Sequence, residues 1–251
     1  MLLLDDAEYG PVERVQSWLD SEDGLAEDGL GLVIRGVMVP IARPPHERFL
    51  PFDRLAEIMT VENIVKELQR TERLLGESVT TQEHEATARQ ILEWQDSCEP
   101  LTNRRCLFAI LCLMNMAIRI VDFIREGLFD GDMPFVSDDS GTYRRNDTST
   151  APISFFKRWK RTQRDMFEHY QGSFLVPFFN LSKGISSKIA QIELSSSAIL
   201  PFLEDEAASQ VIQVGGYSTV RKVRIHEAHH DLEDRPVSTS CDLHHSQADP
   251  Y

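Results

Sequence analysis

Apolar residues recur at helical spacing between residues 50 and 128, and this periodicity predicts a mainly α fold. Thr60 is placed to cap the first helix of this block. The apolar positions that follow it repeat every three or four residues: Val61, Ile64, Val65, Leu68. A helix with one apolar stripe of this kind must bury that stripe against a neighbour.

Two further helices are predicted in the same block. One runs from about Gln82 to Gln95, and the other begins after Thr102 and continues to about Glu126. Gly127 follows directly, at a position where glycine commonly caps a helix end. Because three helices of this length can bury their apolar faces against one another, we predict a bundle-like domain over residues 50–135.

The composition favours a globular chain with one or two domains. The chain has 251 residues, of which 41% are hydrophobic, and a formal net charge of −14. This acidic balance argues against nucleic acid or an anionic membrane as the main partner. The most apolar run, Cys106 to Ile118, is shorter than the ~20 residues that span a bilayer. With no signal peptide and no framework of cysteines, we expect a soluble protein of the cytoplasm or nucleus.

The chain outside the helical block is less regular. Residues 1–49 are expected to form an acidic, partly disordered segment, with a short strand around Leu32 to Val39. The segment 136–151 is rich in Ser, Thr and Asp and is expected to be a flexible linker. Residues 152–209 are interpreted as a basic, aromatic helix followed by an extended connector, and residues 232–251 as a disordered tail.

A short β-hairpin is predicted over residues 210–231. The β-rich run Val211–Val214 precedes the pair Gly215-Gly216. A second alternating run follows: Val220, Val223, Ile225. A Gly-Gly turn between two β-rich runs is on its own an ordinary hairpin. Glycine also suits a loop that approaches phosphate oxygens, because it lacks a Cβ and adopts positive φ.

Several motifs surround this hairpin. Ile199–Glu206 (ILPFLEDE) lies upstream, and Val223–His230 (VRIHEAHH) closes it. Five more motifs occur earlier in the chain: Phe49–Phe52, Ile58–Leu68, Cys106–Leu111, Ile120–Pro134, Phe167–Phe179. Together these motifs resemble a large group of fungal protein-kinase-domain proteins.

The resemblance implies that the hairpin is the start of a kinase N-lobe, whose glycine-rich loop covers the ATP phosphates. The vestige of that loop would comprise four residues: Gly215, Gly216, Tyr217, Val220. Kinases also need a third-strand lysine, an HRD catalytic loop and a DFG magnesium site. None of them follows Lys222. No catalytic residue is therefore assigned, and ATP and Mg²⁺ are expected only in full-length relatives.

Two clusters allow competing interpretations. Zinc binds imidazole and thiolate, and Cys241 lies among five histidines: His226, His229, His230, His244, His245. No pair of these residues has the spacing of zinc-finger ligands. We therefore interpret the histidines as part of the composition of the C-terminal tail rather than as a metal site. The basic stretch Phe156–Arg161, with Arg164, could bind phosphate or a membrane. A surface helix with inward aromatics is favoured instead.

The resulting hypothesis is a truncated kinase-like protein that does not transfer phosphate. Its remaining role would be regulatory or scaffolding, through a protein partner of the helical region 50–135. One alternative is a component of a serine/threonine kinase whose remaining lobe comes from a longer product or from a partner. A second alternative is a helical protein-interaction module without nucleotide binding.

Overall fold

The computed structural model describes residues 29–41, 47–75, 80–92, 103–138, 141–145, 151–179, 198–203, 211–214, 219–221 and 223–231. Within these ranges the chain is mainly helical, as predicted. The α-helices are α1 Gly29–Val37, α2 Phe52–Ile58, α3 Val61–Leu75, α4 Thr81–Leu92, α5 Arg105–Leu113, α6 Ile120–Arg125 and α7 Arg161–Phe174.

The described strands are short and pair antiparallel, two at a time. They are β1 Val39–Pro40, β2 Arg48–Phe49, β3 Val136–Ser137, β4 Tyr143–Arg144, β5 Phe202–Leu203, β6 Val211–Val214, β7 Thr219–Arg221 and β8 Arg224–Ile225. Four 3₁₀ turns also occur in the described ranges: Ala117–Arg119, Asp130–Asp132, Phe155–Arg158, Glu227–His229.

Helix α3 begins where its cap was predicted. The Thr60 hydroxyl accepts a hydrogen bond from the backbone N–H of Asn63 at 3.2 Å, which satisfies one of the unpaired donors of the first turn. Ile64 and Leu68 are fully buried on the inner face of this helix. Helix α4 lies alongside α3 and covers the described part of the second predicted helix.

The prediction of one long third helix is wrong. Helix α5 ends at Leu113, and α6 begins only at Ile120. Asn115 between them has a φ of 54°, a left-handed conformation that cannot continue an α-helix. The cap at Gly127 is confirmed: its φ is 63°, and the next N–H, of Leu128, donates to the carbonyl of Phe123 at 2.9 Å.

The strand expected around Leu32 to Val39 is mainly a helix. Residues Gly29–Val37 form α1, and only Val39–Pro40 belongs to a strand. The buried residues of α1 follow helical spacing: Leu30, Val33, Ile34, Val37. These residues face the apolar helix α5. Because this packing stabilises the helix, it outweighs the local preference of the β-branched residues for an extended conformation.

The predicted linker 136–151 is ordered where the structure describes it. Strands β3 and β4 pair across its first part. Tyr143 is buried, and its ring stacks on Phe156 with 4.2 Å between centroids. The Tyr143 hydroxyl donates a hydrogen bond to the carboxylate of Glu168. The expectation of a flexible linker is therefore wrong for residues 136–138 and 141–145, because one aromatic residue anchors the loop.

An aromatic cluster fills one end of the core. Phe123 on α6 lies at its centre, within 4.7 to 6.3 Å (ring centroids) of five other rings: Phe135, Phe155, Phe156, Trp159, Phe167. The basic, aromatic segment is not one helix, since Phe155–Arg158 is a 3₁₀ turn and α7 starts at Arg161. Its aromatic residues face inward, as the favoured interpretation expected.

The C-terminal strands form two pairs rather than one hairpin. Strand β6 pairs with β7, and the register places Val214 opposite Thr219. Strand β8 instead pairs with β5, with Ile225 opposite Phe202. The predicted second strand is therefore wrong as a continuous element. Its last residues, Arg224–Ile225, form hydrogen bonds with β5 rather than with β6.

Candidate functional site

Four segments that are far apart in the sequence meet at one place, which we call the junction. It comprises Phe49–Phe52, Phe174–Phe179, Ile199–Leu203 and Ile225–His230. Each segment contains all or part of one of the motifs on which the resemblance depended. The junction therefore joins the helical part of the chain to the C-terminal strands β5 and β8.

Backbone hydrogen bonds connect these segments directly. The N–H of Phe179 donates to the carbonyl of His229 at 2.8 Å, and the N–H of His226 donates to the carbonyl of Pro201 at 2.9 Å. On the helical side, the N–H of Leu50 donates to the carbonyl of Ser173 at the end of α7, at 3.1 Å. Because these bonds join residues distant in sequence, they fix the path of the segments relative to one another.

A small hydrophobic cluster lies under the junction, separate from the main core. Its buried members come from four different parts of the chain: Ile41, Phe49, Val176, Ile199. Phe49 is the largest of them and is fully buried. Phe179 and Phe202 add a further aromatic pair, with rings 6.4 Å apart and 19° from parallel. Burying this apolar area stabilises the contact between the segments.

His229 is the central side chain of the junction. It is 0% exposed although it lies near the end of the described chain. Its ring stacks on Phe52 with 4.5 Å between centroids, and it meets the edge of Phe49 at 5.1 Å. Its Nδ1–H donates a hydrogen bond to the carbonyl of Pro177 at 3.2 Å. One imidazole thus contacts two of the other three segments.

The environment of both junction imidazoles favours their neutral form. Burial lowers the pKa of His229, although the hydrogen bond to the Pro177 carbonyl opposes this effect. Burial also lowers the pKa of His226, with Asp53 and Glu227 opposing. The His229 Nε2 atom is buried and has no hydrogen-bond partner within the described ranges. An added proton there would place an uncompensated charge in an apolar site.

This arrangement is suited to holding segments together rather than to proton transfer. A general base must lie within hydrogen-bond reach of a substrate proton. The Nδ1 of His226 instead accepts from the backbone N–H of Ala228 at 3.2 Å, and the Nδ1 of His229 is used by Pro177. Across the described part of the chain, no three His, Cys, Asp or Glu side chains group as a metal ion would need.

Most of the vestigial glycine-rich loop lies outside the described residues: Gly215, Gly216, Tyr217. Val220 lies in β7, where the register places it opposite Gln213 of β6. The two ends of the loop, Val214 and Thr219, are therefore brought opposite each other by the strand pair. The nucleotide-binding role of these residues stays a prediction.

The sequence analysis named the motifs that contain these segments, but it did not predict that the segments meet. Phe49 and Phe52 lie three residues apart, as do His226 and His229. His226 caps the 3₁₀ turn that ends at His229, and in such a turn residues three apart project from the same side. This shared spacing is the signal that links the two pairs, since Phe49 contacts both histidines.

A buried ion pair lies within the helical domain, apart from the junction. The Glu67 carboxylate accepts hydrogen bonds from the Arg70 guanidinium at 2.7 and 2.9 Å. It also accepts one from the backbone N–H of Leu30 at 2.8 Å, at the start of α1. The pair therefore connects α1 to α3, which is a structural role.

No family model matches this sequence, and comparisons with curated proteins and with solved structures find no match either. None of the described helices is long and apolar enough to cross a membrane.

Proposed function

We propose that this chain is a kinase-like protein that does not transfer phosphate by itself, and that it acts as a regulatory or scaffolding module through its helical region, residues 50–135. The observation that carries the proposal is the packing of Ile225–His230 against Phe49–Phe52. The segment that resembles the end of a kinase hairpin is attached to the helical domain.

The partners of β8 support this role. A two-stranded hairpin alone is marginally stable in water, so the first strands of a kinase need the rest of their sheet. Here β8 pairs with β5, and the turn after it is fixed by the burial of His229. Pairing with β5 and the contact of His229 with Phe52 thus stabilise the C-terminal segment.

The residue content of the chain also supports a non-catalytic role. Phosphoryl transfer depends on a phosphate-binding lysine, a catalytic aspartate and metal ligands, each placed on its own motif. This chain contains no lysine after Lys222 and no HRD or DFG motif. Catalysis would therefore need groups that these 251 residues do not contain.

A titration of the purified chain with Mg-ATP, followed by thermal unfolding, tests the proposal. A ligand that binds only the folded state stabilises it by about 2.7 kcal/mol at 100 times its Kd. We expect the melting temperature with Mg-ATP at millimolar concentration to equal that with Mg²⁺ alone.

A saturable rise in melting temperature would overturn the proposal if it disappears in the double variant Gly215→Leu, Gly216→Leu. That result would make the hairpin half of a nucleotide site, and the chain a component of an active kinase. A matched variant outside the loop, Gly36→Leu, controls for general effects of the larger side chain, because no atom lies within 4 Å of a Cβ built there.

A further inference from the structure

Three arginines from two separate parts of the chain surround one carboxylate. Asp122 on α6 contacts the guanidinium groups of Arg158, Arg119 and Arg125 at 3.2, 3.5 and 3.6 Å. The Asp122 side chain is 10% exposed, whereas those of Arg119, Arg125 and Arg158 are 50, 72 and 64% exposed. We call these four residues the arginine cluster.

The cluster carries excess positive charge on a very acidic chain. Three guanidinium groups and one carboxylate leave a local net charge of about +2, although the whole chain has a formal charge of −14. Arg158 donates a hydrogen bond to Asp122 at 3.2 Å, and Arg119 and Arg125 contact the same carboxylate at 3.5 and 3.6 Å. Because a guanidinium has five N–H donors, most of its donor capacity is not used by Asp122.

The aromatic cluster holds together the two backbone segments that carry the arginines. Phe123 lies on α6 between Arg119 and Arg125, and its ring packs on Phe155 with 4.7 Å between centroids. Phe155 begins the 3₁₀ turn that ends at Arg158. Both rings are fully buried, so α6 and the turn are held together before any ligand arrives.

The surroundings of the cluster favour a compact anion. Lys157, next to Arg158, is exposed on the same turn. The nearby Glu126 carboxylate accepts hydrogen bonds from both the hydroxyl and the N–H of Ser154. Arg145 is paired with Asp132 at 3.3 Å. Glu126 and Asp132 thus each have a partner within the chain.

We propose that Arg119, Arg125 and Arg158 form a docking site for a phosphorylated serine or threonine on a partner protein. A phosphomonoester carries a charge of about −1.5 to −2 at pH 7 and three acceptor oxygens. This charge matches the cluster, and arginine forks suit phosphate geometry. Clusters of arginines are a recurring way to recognise phosphorylated segments.

Extended anions fit less well than a phosphorylated side chain. A nucleic acid or an anionic membrane presents many charges over a broad surface, which a chain with a net charge of −14 repels. A single phosphate on a peptide needs only the small region covered by the cluster. The inference rests on the proposed role as a binding module, since it names the chemistry of the partner.

Peptide arrays test this site. The probe is a degenerate peptide library with a fixed central phosphothreonine or phosphoserine, and the reference is the same library without phosphate. We expect the purified chain to be retained by the phosphorylated library only. Two variants are compared with the original chain: the single variant Arg158→Gln, and the double variant Arg119→Gln, Arg125→Gln. In each of them, retention should fall by about tenfold or more.

The variant Arg89→Gln provides the matched control. It removes the same charge from an arginine that is 70% exposed on α4 and contacts Glu85 at 3.7 Å. We expect this variant to bind like the original chain. Thermal unfolding of every variant confirms that a loss of binding is not a loss of folding.

Three results would overturn the site. The first is equal retention of the chain on both libraries. The second is an equal loss of retention in Arg89→Gln and in the cluster variants. The third is found by also mixing the chain with vesicles that contain phosphatidylserine: it is binding to these vesicles and to neither library. A failure here is distinguishable from failure of the proposed function, because the response to Mg-ATP is measured separately and concerns Gly215 and Gly216.

Discussion

The imidazole of His229 lies against the ring of Phe52, with 4.5 Å between the ring centroids and 27° between the planes. Phe52 is the first residue of α2, and His229 ends the 3₁₀ turn after β8. This stack therefore connects the start of the helical domain to the last described residues of the chain. Because His229 is fully buried, the contact depends on a neutral imidazole.

Acid is expected to weaken this contact. Burial lowers the pKa of His229 and His226 below the ordinary 6.5, so the folded state disfavours the added proton. Their contribution to stability is present above pH 6.5 and is lost as the pH falls through the lowered pKa. Asp53, Glu227, Arg54 and His230 also act on His226, and the two carboxylates among them oppose the shift.

An NMR titration of the histidine ring protons measures this effect. The His229 signal should titrate with a midpoint below 6.5, and resonances of the junction should change in the same pH range. The variant His229→Phe assigns the signal by removing it. A midpoint at or above 6.5 would show that the imidazole is not buried in solution.

Two glycines of α1 should respond in opposite ways to alanine. A Cβ built on Gly31 would lie 2.5 Å from the backbone carbonyl oxygen of Cys112 on α5, and that carbonyl is held in a helix. Gly31→Ala should therefore separate α1 from α5 and reduce the free energy of unfolding by about 1–3 kcal/mol. Chemical denaturation measures the change.

Gly36→Ala is the control on the same helix. No atom lies within 4 Å of a Cβ built there. This substitution should leave the free energy of unfolding unchanged or raise it by up to about 1 kcal/mol, because alanine favours the helix more than glycine. Equal effects at the two positions would contradict the close packing of α1 on α5.

The buried pair of Glu67 and Arg70 should show strong energetic coupling. Each single substitution, Glu67→Leu or Arg70→Met, leaves a buried charge without its partner, which costs about 3–5 kcal/mol. The double variant removes both charges and should lose less stability than the two single losses together. A double-mutant cycle from urea denaturation measures the difference. Additive losses would mean that the two groups do not interact.

Asp130 should make the stability of the chain depend on pH. Its carboxylate accepts the backbone N–H groups of Cys106 and Leu107 at 2.9 and 3.0 Å. Burial raises its pKa from 3.8 to about 6, although these two bonds oppose the shift. Proton uptake by the folded state therefore contributes stability that is fully present below pH 3.8 and is lost as the pH rises through 6.

The variant Asp130→Asn isolates this contribution. As the pH falls from 7 towards 4, the original chain should gain up to about 3 kcal/mol of unfolding free energy relative to the variant. Denaturation curves at several pH values measure the gain. Parallel changes in the two proteins would show that Asp130 titrates alike in the folded and unfolded states.

The sequence predicted the helix ends that depend on neighbouring residues. It did not predict the elements whose conformation depends on packing against distant residues. The Thr60 cap and the Gly127 end depend on neighbouring residues, so the sequence was sufficient for both. The break at Asn115 also has a local signal, since asparagine adopts the left-handed conformation more readily than most residues. The apolar periodicity on both sides of Asn115 nevertheless favoured one continuous helix. The helix α1 and the burial of Tyr143 arise from packing against residues that are distant in the sequence, α5 and Phe156.

The candidate sites follow the same division. The junction segments fall within motifs that the sequence analysis named, but only the fold places His229 against Phe52. The sequence spacing of Asp122 from Arg119 and Arg125 predicts contacts on one helical turn. Arg158 is 36 positions further along and reaches Asp122 only because Phe155 packs on Phe123. Its part in the arginine cluster was therefore not predictable from spacing.

Hydrogen exchange of the junction amides tests the attachment of the C-terminal segment most directly. The N–H groups of Phe179 and His226 bond across the junction, and that of Phe108 bonds within the helical core. We predict that all three exchange slowly. In the variant His229→Ala, those of Phe179 and His226 should exchange much faster while Phe108 stays protected. Fast exchange of Phe179 and His226 in the original chain, with Phe108 protected, would contradict the account.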